Sequence, residues 1–159
     1  MPTSVTLMER YRRAPHRAFL FADLCGFTEY TVRHGDELAA ELALAFHERA
    51  RKLAAEERCE VVKSIGDAVM VQSCDCRDAL RFACRLLHLT DVEGYPKIRV
   101  GLDIGPAVEH EGDWYGCTVN TAARITEAAQ PGELVVTERA RAAWQAGRTS
   151  SWSPAACGT

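Results

Sequence analysis

No apolar run in the 159 residues approaches the ~20 residues that cross a bilayer as a helix. The opening segment, MPTSVTLMERYRR, lacks the apolar block of a secretory signal. Both absences speak against membrane insertion and point to the cytoplasm. Positive charge is not in excess either: the formal net charge is -3, so no basic footprint for nucleic acid or anionic lipid exists. The paired aromatic strand signature of RNA-binding sheets is also missing. Seven cysteines, at positions 25, 59, 74, 76, 84, 117 and 157, form no C-x-x-C pair. Only Cys74 and Cys76 lie close together, with no second pair to close a zinc tetrahedron. They read as small, mostly buried thiols in a reducing compartment, with zinc a minor alternative. The five histidines show no ligand spacing, and His47 reads as a surface residue.

What is present is an ordinary globular composition, 47% hydrophobic and 26% charged, at a length suited to one domain. RAFLFADLCGF begins as a buried strand and stops at a glycine. DELAAELALAFHERARKLAAEE follows as a helix, with Leu38, Leu42, Ala45, Phe46 and Leu53 at helical spacing. VVKSIGDAVM reads as a hairpin, DALRFACRLLHLT as a second amphipathic helix, and KIRVGLDIG as a strand. CTVNTAARITEAAQ is a helix stopped by Pro131-Gly132, followed by the strand ELVVT and the short helix ERARAAWQ. This order predicts an α+β (broadly α/β) fold with a ferredoxin-like βαββαβ core. The boundaries expected are an N-terminal extension over 1–16, the main domain over 17–146 and a mobile tail over 147–159.

Two carboxylates stand out. Asp23 interrupts an apolar strand and Asp67 sits at the glycine turn of the hairpin. A buried carboxylate costs several kcal/mol or shifts its pKa, although a solvated strand end and a simple turn aspartate are the plain alternatives. Each follows an apolar run and adjoins a tight turn, so neighbouring strands can bring the pair to one edge. Two adjacent carboxylates select a hard cation, Mg²⁺ or Mn²⁺, with phosphate oxygens completing its shell. CGFT, directly after Asp23, opens toward a helix whose free amides can bind phosphate.

Four segments, FADLCGFT, KSIGDAVM, IRVGLDIG and DWYGCTVNTAAR, together resemble the catalytic domain of class III nucleotidyl cyclases, over roughly Arg17 to Trp144. HGDEL resembles the GGDEF signature of diguanylate cyclases, but it lacks one glycine and opens a helix. The class III resemblance implies adenylyl cyclase activity, making cyclic AMP and pyrophosphate from ATP. It implies two Mg²⁺ or Mn²⁺ ions held by Asp23, Asp67 and the Leu24 carbonyl. It places the amides of Gly26, Phe27 and Thr28, with Arg99, on the phosphates. Lys63 and Asp113 match the pair that reads adenine; guanylyl cyclases carry glutamate and a small residue there. Asn120 and Arg124, four apart on one helix face, match the asparagine that orients the ribose and the arginine that meets charge building at the α-phosphate. Sites of this family lie between paired domains, which implies a homodimer with two composite sites.

Two departures qualify the match. Such cyclases usually end in a hairpin carrying a phosphate-binding lysine, whereas this chain has no lysine after Lys97. That departure supports a rival reading, a truncated or weakly active nucleotide-binding or dimerisation module. Asp103 stands where the family more often has histidine or a small polar residue, and the sequence assigns it no role.

Overall fold

Alternating side chains of one strand, β1 (His16–Leu24), serve two cores at once. The computed structural model describes residues 6–147. Ala18, Leu20, Ala22 and Leu24 point to one side of the sheet. There they meet Phe46 and Leu53 of α3 (Asp36–Glu56) and Phe82 and Leu86 of α4 (Cys76–Val92). Phe19 and Phe21 point to the other side, against Met70, Trp114, Val119 and Ala122. Asp23 continues the phase of Phe19 and Phe21, so it emerges on this second side at the strand end.

β1 pairs antiparallel with β3 (Ala68–Ser73) on one flank and with β4 (Ile98–Pro106) on the other. β2 (Glu60–Ile65) completes the hairpin with β3, and β7 (Leu134–Val136) adds a parallel edge to β4. The sheet order is β2-β3-β1-β4-β7. The first four strands with their helices form the expected ferredoxin-like core. α5 (Cys117–Ala128) covers the second side of β4 and β1, and α6 (Glu138–Ala146) packs beside α4 on the first. Side-chain caps fix helix starts, with Asp75 accepting from the Arg77 amide at 2.8 Å and Thr137 from that of Ala140 at 3.3 Å.

Several elements were not legible in the sequence. Helix α1 (Leu7–Arg12), closed by a Thr6–Glu9 capping box, lies within the N-terminal extension. α2 (Phe27–His34) is separate from α3, the break being Gly35 at φ 88°. A second small sheet joins β5 (Val108–His110) to β6 (Asp113–Tyr115). VEH and DWY carry charged residues and no apolar run, unlike the equally short LVV of β7, which is why this pair passes unread. The buried stripe of α3 is also richer in alanine than expected: Ala39, Ala43, Phe46, Ala50, Leu53 and Ala54 face inward, while Leu38 and Ala45 are exposed. Among the described residues no strand follows β7. The tail expected over 147–159 lies outside the described residues, Gly147 aside.

Candidate active site

Asp23 sits between two strands, opposite Ala68 on β3 and Arg99 on β4. The two-residue turn Gly66–Asp67 joins β2 to β3, with Gly66 at φ 57°. The Leu24 amide donates to the Asp67 carbonyl at 3.3 Å, tying that turn to the end of β1. Asp23, Leu24, Gly26, Phe27, Thr28, Asp67 and Arg99 thereby line one cavity of about 390 Å³. Every residue assigned to cation or phosphate on the sequence lies around this single space. Gly26 is left-handed at φ 70° and starts α2, whose first amides have no partner within the helix. Those amides and the positive end of the helix suit an anion.

Arg99 donates to Asp23 Oδ2 from Nε at 3.0 Å and from Nη2 at 2.8 Å, and to the Glu127 carbonyl at 2.9 Å. Burial pushes the Asp67 carboxyl up to about 6, helped by a shared hydrogen bond with Asp23 and by its charge. Two hard-oxygen carboxylates that oppose each other's ionisation, with a backbone carbonyl beside them, are a donor set that fits Mg²⁺ or Mn²⁺. Among the described residues no group of three or more His, Cys, Asp or Glu assembles.

Lys63 and Asp113 form a second locus. Lys63 Nζ lies 2.6 Å from Asp113 Oδ2, which also holds the Asp113 carboxyl below its ordinary range. Asp113 Oδ1 accepts from the Trp114 amide at 2.8 Å. This contact depends on a bulge in β2. Val61 opposes Val71 and Lys63 opposes Met70, leaving Val62 as an extra residue. Met70 belongs to the core beneath α5, whereas Val69 belongs to the opposite one. Without the extra residue Lys63 would oppose Val69 and point away from Asp113.

Asn120 and Arg124 are exposed on α5, whose other face buries Thr118, Val119, Ala122 and Thr126. None of Lys63, Asp113, Asn120 and Arg124 lines the carboxylate cavity. The predicted residues therefore fall into two sets on one protomer.

Two residues have roles that sequence reasoning missed. His47 is buried at 7% exposure, contrary to its reading as a surface side chain; desolvation by burial, then the nearby Arg51 charge, holds its pKa below the ordinary value. Asp103 is fully buried on β4 and accepts from Arg139 Nε at 2.7 Å, Thr137 Oγ1 at 2.5 Å and the Ile104 amide at 2.8 Å. It is the anchor of α6, and its partners lie too far along the chain for spacing to reveal them. The cysteines also differ from expectation. Among the described free thiols Cys76 alone is buried, Cys84 and Cys117 are exposed, and Cys74 is disulfide-bonded. Burial pushes the Cys25 thiol up despite the Arg99 charge, which makes it a poor nucleophile beside the cavity.

Comparison with known proteins bears on the chain as a whole. A family model described as the adenylate and guanylate cyclase catalytic domain matches residues 10–152. A pH-sensitive adenylate cyclase of Mycobacterium tuberculosis is 37% identical over 124 residues, covering 77% of this chain and 31% of that protein. An adenylate cyclase of Streptomyces griseus is 37% identical over 117 residues, covering 73% and 29%. The chain thus spans about a third of the length of these curated relatives. The crystal structure of an adenylyl cyclase from P. aeruginosa superimposes with a TM-score of 0.71 at 21% identity, covering 82% of this chain and 81% of that one.

Proposed function

The chain belongs to the adenylate and guanylate cyclase catalytic domain family, and from that premise we propose that it converts ATP to 3′,5′-cyclic AMP and pyrophosphate. The observation that carries this reading is the convergence of Asp23, Leu24, Gly26, Phe27, Thr28, Asp67 and Arg99 on one cavity. Asp23, Asp67 and the Leu24 carbonyl would hold two divalent cations, Mg²⁺ or Mn²⁺. When bound, such cations supply an acidified ribose 3′-hydroxyl and a neutralised phosphate chain.

The protein's own groups do the rest. The amides that open α2 receive phosphate oxygens, and Arg99, already beside Asp23, adds a positive charge at the cavity wall. Lys63 donates to the adenine ring nitrogen and Asp113 accepts from the exocyclic amine. Guanine reverses both polarities, and a mismatch would leave a charged donor and acceptor unpaired. Asn120 orients the ribose. Arg124 faces the charge that grows on the α-phosphate as the 3′-hydroxyl attacks and pyrophosphate leaves.

One protomer holds these residues as two separate sets, which supports a homodimer in which each site takes the cation set from one copy and the base set from the other. On this reading a monomer is inactive. The test is cyclic nucleotide formation by the purified chain from ATP or GTP, with Mn²⁺ or Mg²⁺, alongside Asp67→Ala. Metal-dependent cyclic AMP that disappears in the variant is expected. Predominant cyclic GMP would reassign the base, and no product at concentrations that populate a dimer would leave a nucleotide-binding or dimerisation module.

A further inference from the structure

Lys63 and Asp67 are four residues apart, on and beside one turn, yet they serve different loci. Their directions depend on the phase of β2 after its bulge, and a bulge is a place where register can slip. Something must hold that phase. After the bulge Lys63 opposes Met70 and Ser64 opposes Val69, so Ser64 points toward α3 when Lys63 points toward Asp113. Two α3 side chains one turn apart meet this segment from behind. Arg51 Nη2 donates to Ser64 Oγ at 3.2 Å. The Gly66 backbone acts on the neighbouring His47 ring so as to favour its protonated form, against the effect of burial. The ring is almost fully buried, and its Nε2 has no hydrogen-bond partner among the described residues. A buried ring nitrogen left unsatisfied is costly. That cost is tolerated here on the ring that abuts Gly66, the residue directly before Asp67.

We propose that His47 and Arg51 are positioning residues, a latch from α3 that holds Ser64 and Gly66 and thereby fixes where Lys63 and Asp67 point. Neither residue touches substrate. If the latch opens, β2 can lose its bulge, Ser64 and Lys63 exchange faces, and Asp113 loses its partner. The consequence for nucleotide selection rests on the cyclase reading above. The latch itself does not.

The test uses Arg51→Ala, Ser64→Ala, the double variant and His47→Gln in the full chain. Amide hydrogen exchange over residues 63–68, which needs no turnover, should accelerate about three- to tenfold in each single variant, with the melting temperature little changed. The double variant should exchange no faster than either Arg51→Ala or Ser64→Ala, because both remove one contact. Arg51→Lys, which keeps a donor, should recover part of the protection. In steady state the same variants should raise KM for ATP and narrow the preference for ATP over GTP by about three- to tenfold, with kcat less affected. Unchanged exchange at 63–68, or faster exchange spread over the whole sheet, overturns the latch. Faster exchange confined to the turn in the variants, together with a wild type that binds no 3′-deoxy-ATP, keeps the latch and removes the cyclase reading instead.

Discussion

At the scale of single residues, Asp67 illustrates a site held together against its own preference. Its carboxyl titrates at about 6 in the folded chain against an ordinary 3.8, through burial and the neighbouring Asp23. A raised carboxyl pKa means the native state favours the protonated form. The folded chain bears no penalty below about pH 4, where both states are protonated, and bears all of it above about pH 6. Asp67→Asn should therefore melt higher than wild type at pH 7.5 in chelator, by about 2–4 °C for roughly 1 kcal/mol after allowing for solvent screening. The advantage should vanish near pH 4. Adding Mn²⁺ should stabilise wild type alone and close the gap at neutral pH. A variant that melts lower than wild type at pH 7.5 in chelator would show that the pair is not in conflict. Asp23 and Asp67 were legible in the sequence because a carboxylate closing an apolar run has an energetic cost that demands a reason. His47 was not, since a lone histidine on a charged helix carries no such mark. Its burial is a product of tertiary packing, which spacing along one helix does not record.

At the scale of elements, α5 shows how a strand seats the helix that bears Asn120 and Arg124. Gly101 on β4 lies so close to α5 that an added Cβ would fall 2.4 Å from Thr126 Oγ1, 2.5 Å from the Thr126 amide nitrogen and 2.8 Å from the Ala122 carbonyl. Two of those neighbours are backbone, so the whole helix would have to lift. Gly101→Ala should destabilise by about 1–3 kcal/mol, as overpacking does. It should also lower kcat more than an equally destabilising core change elsewhere, because Asn120 and Arg124 move with the helix. Thr126→Ala in the same background should restore little, since it removes only the hydroxyl. Recovery of both stability and turnover in the double variant would contradict a backbone clash. The sequence made α5 and β4 readable as elements through their own periodicity, together with the Pro131-Gly132 pair that follows α5. It could not show that Gly101 is a seat, because contact between distant segments leaves no periodic trace. The β2 bulge escaped for a related reason: an extra residue in a short apolar strand looks like one more strand residue, and its effect appears only against the partner's register.

At the scale of the whole molecule, the strongest consequence follows from the division of the site residues into two sets. Asp67 lies in the carboxylate cavity and Asn120 is exposed on α5, outside that cavity. If each active site takes one set from either copy, Asp67→Ala and Asn120→Ala disable opposite halves. A homodimer of either variant then has two broken sites. A mixed dimer has one site with both lesions and one with neither. Random pairing makes half the dimers mixed, so co-expression should restore about a quarter of wild-type turnover from two inactive proteins. If every site were built within one copy, no mixture could contain an intact one, and activity would stay at the level of the separate variants. The rescued activity should also depend on total protein concentration, falling on dilution as dimers part. A mixture that recovers activity therefore establishes shared sites by chemistry alone, and one that stays silent while the wild type turns over returns the whole site to a single protomer.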